Sequence, residues 1–205
     1  MAETIGMVAA ADAFTLALRW IGEPETALDA ALTVLLALVG GAIEGLAVGI
    51  VQWRLLRRWL TELTASAWVG VTVLAAVVGW ALGTLPAVLV SMLASDAEGT
   101  ASSGPPLWVM PLAGVAAGAV LGAIFGLMQA AVLRHHVSNA GVWVWVNALG
   151  WASAMAVMLT GASTPDAPWP WTRLLPLSAL TGILAGLAIG AVTGAFLPRL
   201  KPRNV

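Results

Sequence analysis

Between Leu112 and Leu133 the chain carries no charged residue, and glycine recurs at every fourth position: Gly114, Gly118, Gly122 and Gly126. A bilayer core offers no hydrogen bonds to bare backbone. An apolar run longer than ~18 residues therefore has to be a helix that satisfies its own peptide groups. Residues four apart in a helix share a face, and a stripe of glycines there lets a second backbone approach closely. The plan occurs three times. Gly41, Gly45 and Gly49 lead to Gln52 and Arg54; the run at 112–134 leads to Gln129 and Arg134; Gly182, Gly186, Gly190 and Gly194 lead to Arg199, with Thr193 where the glutamines stand.

Composition agrees. A length of 205 residues suits one or two soluble domains, but 60% of residues are hydrophobic and only 9% charged, which places the chain among helical membrane proteins. Alternating ten-residue segments of the barrel type are absent. A net charge of −1 excludes an electrostatic case for nucleic acid. The absence of cysteine excludes disulfides, thiolate metal sites and cysteine nucleophiles. Met1 is followed by Ala-Glu-Thr without a basic segment, so a cleaved signal peptide is not expected. No lipidation motif is found.

In chain order, residues 5–21 are amphipathic: Met7, Ala11, Phe14, Leu18 and Ile21 share one face, and Asp12, Thr15 and Arg19 the other. They read as a short span or as an interfacial helix. Pro24 is placed to open the next helix, a span of about 30–53. A second runs from about Trp68 to Leu93, with Pro86 expected to kink it. An acidic, Gly/Ser/Pro-rich loop follows at 95–106. Further spans cover 107–133, 143–161 and about 174–197. The loop arginines sit in the segments at 54–66 and 134–142 and in the tail, apart from Arg173 at a helix start, which makes that side cytoplasmic by the positive-inside rule. Each helix before a glycine helix carries a related motif, Val77-Val78-Gly79-Trp80, Ala148-Leu149-Gly150-Trp151 and the degenerate Ala17-Leu18-Arg19-Trp20. The expectation is an all-α polytopic membrane protein forming a single transmembrane domain. It has six transmembrane helices (five if residues 5–21 do not span) as three repeated hairpins at about 5–58, 67–136 and 142–199, with both termini cytoplasmic.

The combination of G-x-x-x-G-x-x-x-G-x-x-Q, Leu-Arg and Gly-Trp units resembles a group of small bacterial multi-pass membrane proteins with no assigned activity. The resemblance covers nearly the whole chain from Ala30 onward. It implies the architecture and a bacterial inner-membrane location, and adds nothing to the chemistry.

Few residues could carry chemistry. Glu44 lies mid-span, where an ionised side chain costs from ~2.5 to more than 10 kcal/mol. It therefore calls for a donor, a wet cavity or protonation; Asp12, Thr15, Arg19 and Asn147 are the expected partners. Gln52, Gln129 and Thr193 hold matching positions near the basic side, and with Asn147 they read as a polar layer. That layer serves interhelical hydrogen bonding or a binding site at a pseudo-threefold centre. Arg54, Arg57, Arg58 and Arg134 read as topology determinants able to contact lipid or partner head groups. His135 and His136 are adjacent in sequence and point apart, which makes a poor chelating pair. The sole lysine, Lys201, excludes a retinal Schiff base within the membrane. Of 11 tryptophans, Trp53, Trp59, Trp68, Trp143 and Trp145 are expected in an inner aromatic belt and Trp108, Trp169 and Trp171 in an outer one. Trp80 and Trp151 are expected to fill space opposite glycines.

No enzyme signature survives inspection: there is no HExxH, no paired-carboxylate set and no phosphate-binding glycine loop. No metal or cofactor is expected, with a bound lipid or pigment left open. The favoured function is a structural or accessory membrane protein that packs with lipids, with other subunits or with itself. The alternative is a small transporter or channel for protons, ions or small solutes, using Glu44 and the polar layer.

Overall fold

The computed structural model describes residues 26–95, 106–165 and 169–203. The expected first span at 5–21, with Asp12, Thr15, Arg19 and Pro24, lies outside the described residues, as do Asp166 and most of the 95–106 loop. Five helices follow in order: α1 (Ala27–Leu56), α2 (Ala65–Ser95), α3 (Val109–Leu133), α4 (Val142–Ala162) and α5 (Trp171–Phe196), the last extended by a 3₁₀ turn at Leu197–Arg199. All five are long and apolar enough to cross a membrane.

Local chemistry sets several boundaries. Thr26 caps α1 through a reciprocal box: Asp29 N donates to Thr26 Oγ1 at 3.2 Å, and Thr26 N donates to Asp29 Oδ2 at 3.1 Å. The helix thus begins earlier than the apolar run suggests, at a Thr-x-x-Asp signal. Thr64 Oγ1 accepts from Ala67 N at 3.4 Å near the start of α2, also ahead of the expected Trp68. Pro86 lies inside α2 without ending it, and Pro176 lies inside α5.

The glycine stripes decide how the helices pack. A Cβ at Gly114, Gly118 or Gly122 would collide with the α4 backbone, at Met155–Ala156, Trp151–Ala152 and Asn147–Ala148 respectively; one at Gly126 would lie 2.6 Å from Val144 Cα. Each four-residue step along α3 is matched by a four-residue step back along α4, the register of two antiparallel helices in backbone contact. The stripe of α1 meets α2 in the same way. Gly41 lies under the Trp80 ring, a Cβ at Gly45 would lie 2.7 Å from Val73 Cα, and one at Gly49 would lie 3.2 Å from Val69 Cα. In both cases the glycine helix faces the helix that follows it, across the unit boundaries read from the sequence. The reverse contact is looser and made by side chains: Gly79 of α2 faces Phe125 of α3, and Gly150 of α4 faces Ile189 of α5.

Gly182 and Gly186 of α5 are buried, but Gly194 is exposed with open space where a Cβ would go. Gly194 is therefore not a packing glycine. It sits in the last turn of α5, on the exposed side of the helix.

Among the described residues, helix backbones come close only to their chain neighbours, α3 with α4 most extensively. Only 22–33% of each apolar window is buried. The outward rows, including Ile43, Leu89, Leu112, Val120 and Leu127, suit acyl chains. The largest core cluster lies at one end. There Leu56, Leu60 and Leu63 from the α1–α2 turn meet Leu133, Val137 and Ala140 from the α3–α4 turn, with Leu197 and Leu200 of the tail against them. The three arginine-bearing segments thus share one end of the molecule.

Candidate functional site: a buried glutamine clasp

Gln129 is 1% exposed and ties four helices together. Its Nε2 donates to Gln52 Oε1 of α1 at 3.2 Å and to Thr72 Oγ1 of α2 at 3.0 Å. Its Oε1 accepts from Trp143 Nε1 of α4 at 2.7 Å. Thr72 passes its own proton to Trp68 O at 2.8 Å, so the threonine accepts from the glutamine and donates to its own helix. A carboxamide suits this place because it offers two donors and an acceptor without charge. The surroundings are apolar, and a buried polar group left unpaired there is costly.

The cluster is local to the basic end. Trp68 and Trp143 pack ring to ring, centroids 6.3 Å apart at 60°, and both belong to the core at that end. Trp68 is fully buried, and its Nε1 has no acceptor among the described residues. Both rings therefore lie in the core at that end rather than in the expected aromatic belt. Trp59, Trp108 and Trp145 are exposed as a belt requires. Trp53 is half-buried; its Nε1 donates to Leu63 O at 3.0 Å, pinning the α1–α2 turn.

The expected polar layer is only partly assembled. Gln52 and Gln129 meet, joined by Thr72 and Trp143, which the sequence reading did not single out as polar partners. Asn147 and Thr193 do not join them. Asn147 Nδ2 donates to Trp143 O at 2.9 Å and Thr193 Oγ1 to Ile189 O at 2.8 Å, each within its own helix. Repeat position placed Thr193 with the glutamines, but its short side chain reaches the carbonyl four residues back. Thr72 could have been found from sequence only by its place one helical turn after Trp68, a weak signal.

Glu44 stands apart from the clasp. It is half-buried on α1, and its Oε2 accepts from Trp80 Nε1 at 2.8 Å. This is the α2 indole that covers Gly41, so one tryptophan fills the glycine gap and caps the carboxylate. Asn147 does not reach Glu44; the other expected partners lie outside the described residues. Trp151 packs on Phe125 with centroids 4.9 Å apart, while its backbone lies against Gly118.

Arg54, Arg57, Arg58 and Arg134 are exposed. Arg57 stacks over Trp53 at 4.7 Å, and Arg134 Nε lies 3.4 Å from His135 Nε2. Among the described residues no group of three or more His, Cys, Asp or Glu side chains could hold a metal ion. No family model, curated protein or solved structure matches this chain.

Proposed function

We propose that this chain is an integral membrane structural or accessory protein of the bacterial inner membrane, a glycine-packed bundle that associates with lipids and with other membrane subunits. The observation that carries the reading is the Gln129 clasp. The polar side chains best placed to line a solute path are spent on one another, in a cluster with no charged member among the described residues. Such a cluster fixes the relative placement of helices and contributes little to conduction. The C-terminus and the arginine-bearing end are cytoplasmic in this reading.

Six spans in three units complete it. Gly41 lies under the Trp80 ring and Gly118 against the Trp151 backbone, while Gly79 faces Phe125 as Gly150 faces Ile189. These parallels between successive helix pairs support the repeat. Residues 5–21, which carry the degenerate Ala17-Leu18-Arg19-Trp20 motif, are the sixth span in this proposal, as the outgoing member of the first unit.

A second reading, a small proton or cation transporter, is favoured by one observation: a half-buried acid in mid-span, bonded by Trp80. Purified protein in proteoliposomes separates the two. The structural reading expects no proton or cation flux above empty vesicles, and expects Glu44→Gln to fold as the parent does. A flux that Glu44→Gln abolishes in a folded protein establishes the transporter instead.

A further inference from the structure

Among the described residues, the basic end carries many more cations than carboxylates. Arg54 lies in the last turn of α1 with Arg57 and Arg58 just beyond it, Arg134 follows α3, and Arg199, Lys201 and Arg203 lie in the tail; all are exposed. The single carboxylate among the described residues at this end is Glu62, and none of the seven cations forms an ion pair with a described residue. The tail is strapped across the α3–α4 turn. Val137 and Pro202 form an antiparallel bridge, Ser138 N donates to Lys201 O at 3.0 Å and Arg203 N to His136 O at 2.9 Å. Asn139 clamps the strap from both sides: its Nδ2 donates to Arg199 O at 2.8 Å, and its Oδ1 accepts from Lys201 N at 2.9 Å. Three tail cations are thereby held next to the Arg134 segment, and Arg199 is stacked on Phe196 at 4.4 Å.

Like charges fixed together gain from an external anion. Apolar surface is exposed at the same level: Trp59 is 56% and Leu55 42% exposed. Cations beside apolar surface at the ends of membrane helices match a molecule that is phosphate at one end and acyl chain at the other. We infer that this end is a docking face for anionic phospholipid headgroups, with the strapped tail and Arg134 as its ordered centre. The inference rests on the membrane-embedded reading above.

The probes are tetraoleoyl cardiolipin, phosphatidylglycerol and phosphatidylcholine, added to the full-length protein in mild detergent and followed by native mass spectrometry and thermal shift. The two anionic lipids should be retained and stabilise the protein, and phosphatidylcholine should do neither. Combining Arg134→Gln, Lys201→Gln and Arg203→Gln should weaken cardiolipin binding by roughly 10- to 100-fold, while Arg173→Gln, at the far end, should leave it unchanged. Asn139→Ala keeps every charge and unclamps the tail, so it should also bind more weakly. Asn139→Ala binding as tightly as the parent overturns the tail-built site. Equal retention of anionic and zwitterionic lipid, or displacement by inorganic phosphate, overturns lipid docking. Alkaline extraction of membranes reads the embedded state separately, so failure of one idea is distinguishable from failure of the other.

Discussion

Replacing Gln129 with leucine tests whether the clasp holds the bundle. The substitution keeps most of the volume and removes three hydrogen bonds, to Gln52, Thr72 and Trp143. Interhelical bonds within membranes average ~0.6 kcal/mol each, which gives about 2 kcal/mol for the set. The Trp143 donor is only 2% exposed and is left without an acceptor; a buried orphan costs ~1–3 kcal/mol. Gln129→Leu should therefore destabilise by roughly 2–5 kcal/mol, the upper end applying if Trp143 finds no new partner. Thr193→Val is the control at the equivalent repeat position. It loses only a bond to its own helix, and its expected effect is within ~0.5 kcal/mol. Equilibrium unfolding in mixed detergent micelles, followed by tryptophan fluorescence, compares the two. A double-mutant cycle with Gln52→Leu should show coupling of ~0.5 kcal/mol or more. If the two single variants unfold together, or the cycle shows no coupling, the clasp carries no structural weight.

The glycine contacts predict a sharp positional contrast. Gly122→Ala drives a Cβ into the Asn147 backbone and should prise α3 from α4, whereas Gly194→Ala meets open space and should be neutral or stabilising by up to ~1 kcal/mol. Thermal stability of the two variants in one detergent checks this. Of the two stacked indoles, Trp143→Phe breaks a 2.7 Å hydrogen bond and should cost more than Trp68→Phe, which removes a donor that has no acceptor among the described residues; the same unfolding assay ranks them. Reporter fusions at Val205 and within residues 95–106 should be active on the cytoplasmic and periplasmic sides respectively, and periplasmic activity at Val205 would invert the topology.

Much of this protein is legible in one dimension because the bilayer leaves little choice. An apolar run the length of a membrane must be a helix, and the five described helices fall where the runs do. Glycine spacing announced close faces at Gly114, Gly118, Gly122 and Gly126 for the same reason: period four on a helix is a stripe. The gathering of the arginine-bearing segments at one end follows from alternating direction of travel.

Partner choice was not legible. The sequence shows that α3 has a glycine stripe, but the phase of that stripe relative to both neighbours makes α4 its partner and leaves α2 to Phe125. Repeat position made Gln52, Gln129 and Thr193 look alike. Reach separated them, because a glutamine can cross between helices and a threonine bonds back on its own. Trp68 and Trp143 have the spacing of belt residues and became core, since burial depends on what stands opposite a side chain. Trp80 alone satisfied two expectations at once, filling the space at Gly41 and bonding Glu44. That coincidence needs two helices in a fixed register, and no count along the chain contains it.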